Sequence, residues 1–396
     1  MSKTAFVNGR LFIGDGRIVD VGTVVVEDDR IVDVTAGSVQ PPEGAEIVSL
    51  DGATLLPGLI DCHIHICSDG SNDPWTNRRD KSIAAITLGS AEMARRTILN
   101  GVTTIRDMGA PYGIDLALRD AVASGLIVGP RMLVSCRCVC MTGGHGWRAG
   151  CEADGPDEVR RAAREQIKAG ADIFKIMASG GVMTPGVDPG AAQYTEEEMR
   201  AGIEEAHKAG RMTATHAQGK EGILNAVRAG IDTIEHGFFV DEEVAALMIE
   251  KNVYFVPTLA AVHNIVANGV EGGVPEYAVK KAVKIQTIHR ENVIKAKKAG
   301  VVIGMGTDAG TPYNAHGKNL QELELLVAAG FSPTEALMAA TKTAAEVIGM
   351  KDDLGMLETG RLADLVVCAG DPTKDVSLLT DPGNIKTIYL AGRKIR

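Results

Sequence analysis

A short unit of helix, cap and strand recurs through the middle of the chain and restricts its fold more than any other feature. In each unit a helical pattern ends at glycine or asparagine, one residue follows, and an apolar strand begins, as in KAGADIFKIM and RAGIDTIEHG. Glycine and asparagine commonly end helices in the left-handed conformation. The capping positions are Gly101, Gly170, Gly210, Gly230, Asn252 and Gly300. The repeat therefore predicts helices that alternate with parallel strands.

Two further apolar runs, LIDCHIHI and PRMLVSCRCV, bring the number of predicted strands to eight. Eight strands that alternate with helices over about 250 residues are typical of the (β/α)8 or TIM barrel. We predict this barrel over residues 58–354. The second run carries Cys136, Cys138 and Cys140 at alternate positions, which we interpret as thiols packed along one strand.

The two ends of the chain have a different pattern from the middle. Residues 1–57 contain short strands and tight turns, such as those at Asn8-Gly9 and Asp51-Gly52, and no helical period. Residues 355–396 repeat this style in ADLVVCAGDP and IKTIYLAGRKI. We therefore predict a small β-sandwich domain that is built from both termini, beside the α/β barrel.

Charge and cysteine content restrict the partners and the compartment. The chain has 396 residues and a formal net charge of −10, which argues against nucleic acid or an acidic membrane surface as a partner. No apolar run has the length of a membrane span, and the N-terminus has no signal-peptide pattern. The seven cysteines are an odd number without a CxxC pair. We expect a cytoplasmic protein, a homo-oligomer that acts on a small molecule or dipeptide.

Polar residues end the predicted strands, where TIM barrels carry their chemistry. Taken singly, each has an ordinary explanation: His216 could be a hydrogen-bonded core histidine, and Asp308 could cap a helix. Together they would crowd one mouth of the barrel with polar groups, which is costly unless something pairs them. A divalent metal would do so. The strand-end residues are His63, His65, Asp107, Lys175, His216, His236 and Asp308.

Lys175 lies inside the predicted strand DIFKIM. Because side chains alternate along a strand, either Lys175 faces the barrel interior or Phe174 and Ile176 do. An unpaired ammonium beside divalent cations is disfavoured, but a neutral lysine can react with carbon dioxide to form a carbamate. That anion can bridge two metals. The alternative is a lysine that snorkels on the helix-facing side.

Several motifs in order resemble those of the amidohydrolase superfamily, over essentially the whole chain. They are GLIDCHIHI, Lys175, THAQG, IEHG, GTDAG and GRLADLVV. Within the superfamily the chain is most similar to the metal-dependent prolidase and carboxypeptidase-like group, which includes the imidazolonepropionase-like proteins. That group also carries a GGHG loop after the third strand, here at residues 143–146. An H-x-H pair alone is a weak signal, whereas five ordered strand-end motifs are specific.

The resemblance implies a centre with two divalent metals. Its predicted ligands are His63, His65 and Asp308 for the more buried metal, His216 and His236 for the second, and carboxylated Lys175 as the bridge. Zinc is the expected metal because imidazole with carboxylate-type oxygens suits it. A water shared by the metals would attack the substrate carbonyl. Asp308 would take the proton of that water and pass it to the leaving amine.

Four further residues are candidates for contact with the substrate. His145, in the glycine-rich GGHG loop, would donate to a substrate carbonyl or carboxylate; the alternative is an exposed loop histidine. Arg148 could pair with a carboxylate through its planar fork, or could be solvated. His263 follows the seventh strand and could line the pocket. Gln218 stands where some prolidase-like relatives have a tyrosine, which weakens the case for prolidase activity specifically.

We therefore predict a binuclear zinc-dependent amide hydrolase that acts on a dipeptide, Xaa-Pro or similar, or on an N-acyl amino acid. The main alternative is hydrolysis of another C–N bond, in a cyclic, aryl, urea-type or mycotoxin-like amide. A deaminase is less favoured because mononuclear members of that kind generally lack the strand-end lysine. A catalytically inactive scaffold is also less favoured, since such proteins tend to lose metal ligands and none is missing here.

Overall fold

The computed structural model describes residues 3–396. The strands in this range are β1 (Lys3–Phe12), β2 (Ile18–Glu27), β3 (Arg30–Ala36), β4 (Glu46–Ser49), β5 (Thr54–Pro57), β6 (Leu59–Ile64), β7 (Val102–Asp107), β8 (Arg131–Val134), β9 (Val139–Cys140), β10 (Cys151–Glu152), β11 (Ile173–Met177), β12 (Met212–Ala217), β13 (Thr233–His236), β14 (Tyr254–Val256), β15 (Leu365–Cys368), β16 (Ile385–Leu390) and β17 (Arg393–Lys394). The α-helices are α1 (Pro74–Arg79), α2 (Ile83–Leu99), α3 (Ile114–Ala123), α4 (Gly155–Ala169), α5 (Glu196–Lys208), α6 (Lys220–Ala229), α7 (Glu242–Lys251), α8 (Leu259–Asn268), α9 (Glu276–Ala299), α10 (Gln321–Ala328), α11 (Pro333–Ala339) and α12 (Lys342–Val347).

Both ends of the chain contribute to one eight-stranded sheet. Its strand order is β17-β16-β15-β5-β1-β2-β3, with β4 paired to β1. The two ends meet where β5 pairs antiparallel with β15. Side chains from both ends share a buried cluster, in which the rings of Phe6 and Tyr389 lie 5.0 Å apart. The limits 1–57 and 355–396 stay a prediction, and residues 1 and 2 lie outside the described range.

The middle of the chain has a TIM-barrel-like α/β fold. Parallel strands form a three-stranded sheet, β6-β7-β8, and a six-stranded sheet, β10-β9-β11-β12-β13-β14. Two isolated parallel bridges, Ile64 with Ala309 and Phe255 with Ile303, join the segment after α9 to these sheets. The pairing in residues 3–396 thus gives two sheets rather than the single closed ring that the repeat predicts.

The eighth predicted strand forms only single bridges within residues 3–396, and glycine brings its backbone very close to its neighbours. A Cβ built on Gly306 would lie 2.4 Å from Val256 and 3.0 Å from the Cβ of His63. Glycine inside a strand pattern commonly marks such a close approach. The segment therefore lies tightly against the residues that end β6 and β14, although it forms no regular ladder.

The predicted caps are present, but the third predicted strand is shorter than expected. Gly170 ends α4 at φ 99° and Asn252 ends α7 at φ 56°, both in the left-handed conformation. The run PRMLVSCRCV is not one strand: β8 stops at Val134, and Cys136 has φ 61°, which breaks the extended backbone. The seven cysteines are all free thiols.

The helices around the sheets pack on apolar side chains that alternate with the polar ones. On β11, Phe174 and Ile176 belong to the main core, and Phe174 lies against Gly202 of α5. The same alternation turns Lys175 away from the helices. No helix in residues 3–396 combines the length and the apolar character that a membrane crossing requires.

Candidate metal centre and active site

The strand-end residues of the predicted metal centre converge on one small inner cavity of about 50 Å³. This inner cavity is lined by all six predicted ligands and by His145, together with apolar side chains from α8 and from the segment after β11. The ionisable residues on its wall are His63, His65, His145, Lys175, His216, His236 and Asp308. The structure therefore brings together side chains that are separated by up to about 245 residues of sequence.

Lys175 faces the inner cavity, which answers the question that strand alternation left open. Its side chain is buried, and its Nζ has no hydrogen-bond partner within the described residues. Burial lowers the pKa of Lys175 to about 8. The charge of Lys175 also lowers the pKa of His145, His216 and His236, which places the amine among those imidazoles. A buried amine without a partner is costly unless a ligand or a modification satisfies it.

Within residues 3–396, one group of His and Asp donor atoms is close enough for a metal ion. Single ligand atoms of His63, His65 and Asp308 all lie within 4.8 Å of one another. The Oδ1 atom of Asp308 is 3.2 Å from Nε2 of His65 and 3.5 Å from Nε2 of His63. Neither contact has hydrogen-bond geometry, so this carboxylate oxygen is buried without a donor. Two imidazoles and one carboxylate are a donor set that suits a divalent cation such as zinc.

A buried carboxylate orients His63. The Oε2 atom of Glu235 lies 2.8 Å from Nδ1 of His63, and Oε1 accepts from Arg106 at 2.7 Å. Glu235, Arg106 and His63 are each at most 1% exposed. Because a carboxylate only accepts hydrogen bonds, Nδ1 of His63 carries the proton and Nε2 keeps its lone pair for a ligand bond.

Two of the predicted ligands stand at left-handed backbone positions. His236 has φ 68° and Asp308 has φ 59°. This conformation is uncommon for residues other than glycine and is found at functional sites. At His236 it interrupts the strand alternation, so that Glu235 and His236 can both point into the interior although they are adjacent in sequence.

Hydrogen bonds to His216 and His236 determine which ring nitrogen of each is free to bind a ligand. Nδ1 of His236 lies 2.7 Å from Oγ1 of Thr258, which leaves Nε2 free. Nε2 of His216 donates to the carbonyl of Gly180 at 2.9 Å, so Nδ1 is the nitrogen that can bind a ligand. The two rings are 4.4 Å apart. They form a second pair of nitrogen donors in the wall of the inner cavity.

Burial favours the neutral form of four imidazoles of the inner cavity, those of His63, His145, His216 and His236. It lowers the pKa of His63, His216 and His236 well below the usual value, and it lowers the pKa of His145 to about 3. Neutral imidazole is the form that binds metal ions. The donor types, the partnerless amine and carboxylate oxygen, and the protonation states therefore fit a divalent metal centre.

The loop residue His145 is held over the inner cavity by a second segment. Its Nδ1 lies 2.7 Å from Oγ1 of Thr184, and its ring is 4.1 Å from the ring of His216. The segment 180–187 that carries Thr184 is fixed from α9, where Nζ of Lys281 donates to the carbonyls of Gly181, Thr184 and Val187 at 3.2, 2.7 and 2.6 Å. His145 is thus a positioned residue and not a solvated one.

An outer cavity of about 220 Å³ adjoins the inner one, because His65, Trp75, His145 and two methionines line both. Arg148, a predicted substrate contact, lines this outer cavity. Gln218 and His263 line neither cavity. Gln218 lies buried behind Ser179, to which its backbone amide donates, and His263 lies on α8 beside the residues that face the cavity. Their positions do not support the predicted substrate contacts.

Sequence reasoning missed several residues around these cavities. Glu235 was overlooked because alternation assigns it to the opposite face from His236. Trp75 and Arg78 were overlooked because they lie on α1, a helix of six residues between two predicted units. A signal for them was available: the chain has two tryptophans, and each is followed within three residues by an arginine.

The chain matches a known family and several characterised proteins. The Amidohydrolase family model matches residues 54–395. Ochratoxinase of Aspergillus niger is 33% identical over an alignment 423 residues long. The match covers 98% of this chain and 86% of that protein.

Two solved structures extend the comparison. A Xaa-Pro dipeptidase with bound methionine in its active site is 31% identical, with a TM-score of 0.92 and full coverage of both chains. A putative prolidase from Bifidobacterium longum is 31% identical, with a TM-score of 0.88, and the match covers 100% of this chain and 94% of that one. The structural neighbours thus include prolidases, as the sequence motifs indicate.

Proposed function

Because the chain belongs to the amidohydrolase family, we propose that it is a binuclear metal-dependent hydrolase that cleaves the amide bond of a dipeptide or an N-acyl amino acid. Family membership supports a hydrolase that acts on C–N bonds with divalent metal. The observation that carries the binuclear proposal is the buried amine of Lys175, without a hydrogen-bond partner within residues 3–396 and surrounded by imidazoles.

The proposed metal ligands divide into two groups. His63, His65 and Asp308 would hold one ion, and His216 and His236 would hold the other. Zinc suits this set because imidazole nitrogen and carboxylate oxygen are its common ligands. When bound, the ions would supply a Lewis acid for the substrate carbonyl and a water that ionises near neutral pH.

Lys175 would join the two groups as a carbamate. Its neutral amine would form an N–C bond to carbon dioxide and release one proton, which converts the side chain into an anion with two oxygen ligands. Two observations support this proposal: Nζ has no carboxylate partner among residues 3–396, and the side chain is buried. The modification would satisfy the partnerless amine and reduce the repulsion between two cations.

Two other residues would move protons or hold the substrate. Asp308 would act as the general base and then pass the proton to the leaving amine, since its Oδ1 is free of hydrogen-bond donors and faces the cavity. His145 would donate to the substrate carbonyl or carboxylate through Nε2, because Thr184 holds Nδ1. Arg148 would contact the substrate in the outer cavity.

The relatives favour two kinds of amide. The Xaa-Pro dipeptidase supports a dipeptide, whereas ochratoxinase supports hydrolysis of a mycotoxin amide and therefore the aryl-amide alternative. The small inner cavity adjoins a larger outer one, and this arrangement does not by itself distinguish the two kinds.

The remaining architectural and cellular predictions also belong to this proposal. A closed eight-stranded barrel is supported by backbone hydrogen bonds from Asp172 to Val134 and from Cys62 to Met305, which link segments that the sheets leave apart. A composite domain of residues 1–57 and 355–396 is supported by their shared sheet. Free cysteines throughout are consistent with a reducing cytoplasm. Size-exclusion chromatography with light scattering would test the homo-oligomer.

Metal content and hydrolysis together test the function. We expect close to two divalent metals per chain by elemental analysis, and release of amine from dipeptides or N-acyl amino acids. Dialysis against a chelator should remove both metal and activity, and added zinc should restore them.

Each alternative function predicts a different experimental result. One metal per chain with ammonia release from a purine-type amine would indicate a deaminase, and metal-loaded protein without activity on any amide panel would indicate an inactive scaffold. Activity confined to aryl or cyclic amides would favour the alternative substrate class over dipeptides.

A further inference from the structure

The wall of the outer cavity is cationic in a chain whose formal net charge is −10. Arginine and lysine side chains line the cavity, and no aspartate or glutamate is among its described lining residues. The cations are Arg78, Arg79, Lys81 and Arg148. A cavity lined by one sign of charge concentrates ligands of the opposite sign.

Both tryptophans of the chain line this cavity, and each carries an arginine over its ring. The guanidinium carbon of Arg78 lies 4.9 Å from the ring centroid of Trp75, and that of Arg148 lies 5.5 Å from the ring centroid of Trp147. Stacking on an aromatic face holds a guanidinium in place and leaves the N–H groups at its edge available. The outer cavity therefore has two arginine-tryptophan pairs in its wall.

The four cations differ in their partners. Arg79 pairs with Asp80 at 3.4 Å, and Lys81 pairs with Asp69 at 3.1 Å. Within residues 3–396, Arg78 and Arg148 have no carboxylate at ion-pair distance, and neither guanidinium donates a hydrogen bond to another residue. These two arginines are therefore free to bind an anion from outside the chain.

Arg78 is the better placed of the two. Its side chain is half-buried, whereas Arg148 is exposed. Burial lowers the pKa of the Arg78 guanidinium, although arginine stays protonated at any pH in ordinary use. The charge of the buried Asp107 acts on Arg78 only from beyond ion-pair distance. A half-buried cation without a direct ion pair gains more from a bound carboxylate than a solvated one does.

We propose that Arg78, stacked on Trp75, is the carboxylate-binding residue of the outer cavity, and that the two arginine-tryptophan pairs select amides with an aromatic, negatively charged outer portion. This inference rests on the proposed function and adds the substrate class to it. The tryptophan rings would contact the planar body of the substrate, and the guanidinium fork would bind its carboxylate. His65 and His145, which line both cavities, mark where the scissile amide would enter the inner one.

Intrinsic fluorescence tests the recognition without any hydrolysis, because the chain's two tryptophans both line the cavity. The probes are 3-phenylpropanoate and its neutral counterpart 3-phenylpropanamide, which differ in charge and share the aromatic body. We expect the wild-type holoenzyme to bind the acid about tenfold more tightly than the amide, since hydrogen bonds to charged groups are the stronger class.

Variants on α1 assign that preference to one residue. Arg78→Met keeps the packing of the stem over Trp75 and should reduce the acid-to-amide preference to about onefold to twofold. The matched control is Arg79→Met, one position along the same helix, where the side chain is 72% exposed and paired with Asp80; it should keep the wild-type preference. Arg78→Lys keeps the charge without the planar fork and should give an intermediate value.

Clear outcomes would overturn the proposal. A preference that persists in a folded Arg78→Met protein, as judged by circular dichroism, would assign the carboxylate to the inner cavity. An equal loss in Arg79→Met would reduce the effect to general charge. If Arg78→Met fails to fold, wild-type binding by Arg78→Lys would overturn the role of the fork.

A kinetic comparison separates this inference from the proposed function. The ratio of kcat/KM for N-acetylphenylalanine to that for N-acetylphenylalaninamide should fall about tenfold in Arg78→Met. Hydrolysis of both compounds with an unchanged ratio would overturn the recognition and leave the function intact. No hydrolysis of any amide, with acid binding that still depends on Arg78, would overturn the function and leave the recognition intact.

Discussion

The inner and outer cavities are neighbours, but they hold their charged groups in different ways. In the inner cavity the predicted metal-binding imidazoles stand at strand ends, and hydrogen bonds from neighbouring residues fix them, as Glu235 fixes His63 and Thr258 fixes His236. In the outer cavity the cations stand on the short helix α1 and on a loop, and Arg78 has an aromatic ring as its neighbour instead of a carboxylate. Rigid elements thus carry the proposed chemistry, while connecting segments carry the proposed selectivity.

The largest expected effect is at the centre of the inner cavity. Lys175→Ala removes the proposed bridging anion, so we expect activity to be abolished and metal content to fall, as measured by amine release and elemental analysis. Ligand binding in the outer cavity should persist. Lys175→Glu can place an oxygen anion near the same position and should retain part of the metal, and added short-chain carboxylic acids should restore part of the activity of Lys175→Ala.

A matched control for this prediction is Lys168→Ala, an exposed lysine in the last turn of α4. It should change the free energy of unfolding by no more than about 0.5 kcal/mol and leave activity unchanged. Full metal content and full turnover in Lys175→Ala would contradict both the carbamate and the binuclear centre.

The next effect concerns the support of the inner cavity. Glu235→Gln replaces the carboxylate that orients His63 by an amide that can present either an oxygen or an NH₂ group, and we expect metal affinity to fall roughly 10- to 100-fold. Competition with a chelating dye measures this affinity directly. The fluorescence titration of the outer cavity should be unchanged, so a parallel loss there would show that the two cavities are not independent.

A third prediction concerns the stability of the fold at acidic pH, through a histidine that contacts the backbone of His65 and Ser68. His316 is buried, with Nε2 donating to the carbonyls of His65 and Ser68, and burial lowers its pKa to about 4. A histidine with a lowered folded-state pKa stabilises the fold above its unfolded-state pKa near 6.5, and this contribution is lost as pH falls toward 4.

The wild-type free energy of unfolding should therefore fall by about 2 kcal/mol more between pH 7 and pH 5 than that of His316→Gln. Urea unfolding of both proteins at the two pH values measures the difference. Identical pH dependence in the two proteins would show that His316 does not titrate in this range in the folded state.

The smallest effect lies at the boundary between the two cavities. Segment 180–187 contributes Val182 to the inner cavity and Pro185 to the outer one, and Lys281 fixes it through three carbonyls. Lys281→Met should loosen the segment, with faster amide hydrogen exchange there and a decrease in kcat/KM of about three- to tenfold.

Lys280→Met is the control for this variant, because Lys280 is the neighbouring residue on α9 and its exposed side chain pairs with Glu276. It should leave exchange and kinetics as in the wild type. If both variants behave alike, Lys281 does not position the segment.

The residues of the inner cavity could be grouped from the sequence because the pattern that marks them is local and periodic. Each cap, such as Gly170 or Asn252, marks the start of a strand, and the polar residue a few positions later marks its end. Parallel strands then bring those ends to the same side without further information. Lys175, His216 and Asp308 could therefore be grouped although nothing in the sequence measures the distances between them.

The outer cavity and the support of the inner one could not be predicted in the same way. Trp75 and Arg78 lie on a short helix outside the repeat, and their approach to Trp147 depends on tertiary packing. Glu235 shares the interior face of its strand with Thr233, and His236 reaches the same interior because its left-handed conformation breaks alternation. The eighth predicted strand forms only isolated bridges within residues 3–396, in a segment where Gly306 lies too close to Val256 for any side chain.

The pairing of β5 with β15 also has a consequence for the synthesis of the chain. The two strands are separated by roughly 300 residues, which a ribosome adds in about 15 to 60 s at typical rates of elongation. Throughout that interval β1, β2 and β5 exist with one edge open, and the buried cluster around Phe6 lacks Leu365 and Tyr389. The N-terminal strands therefore lack their partner strands until the C-terminal strands are synthesised. During this period the nascent protein is most exposed to aggregation and to chaperone binding.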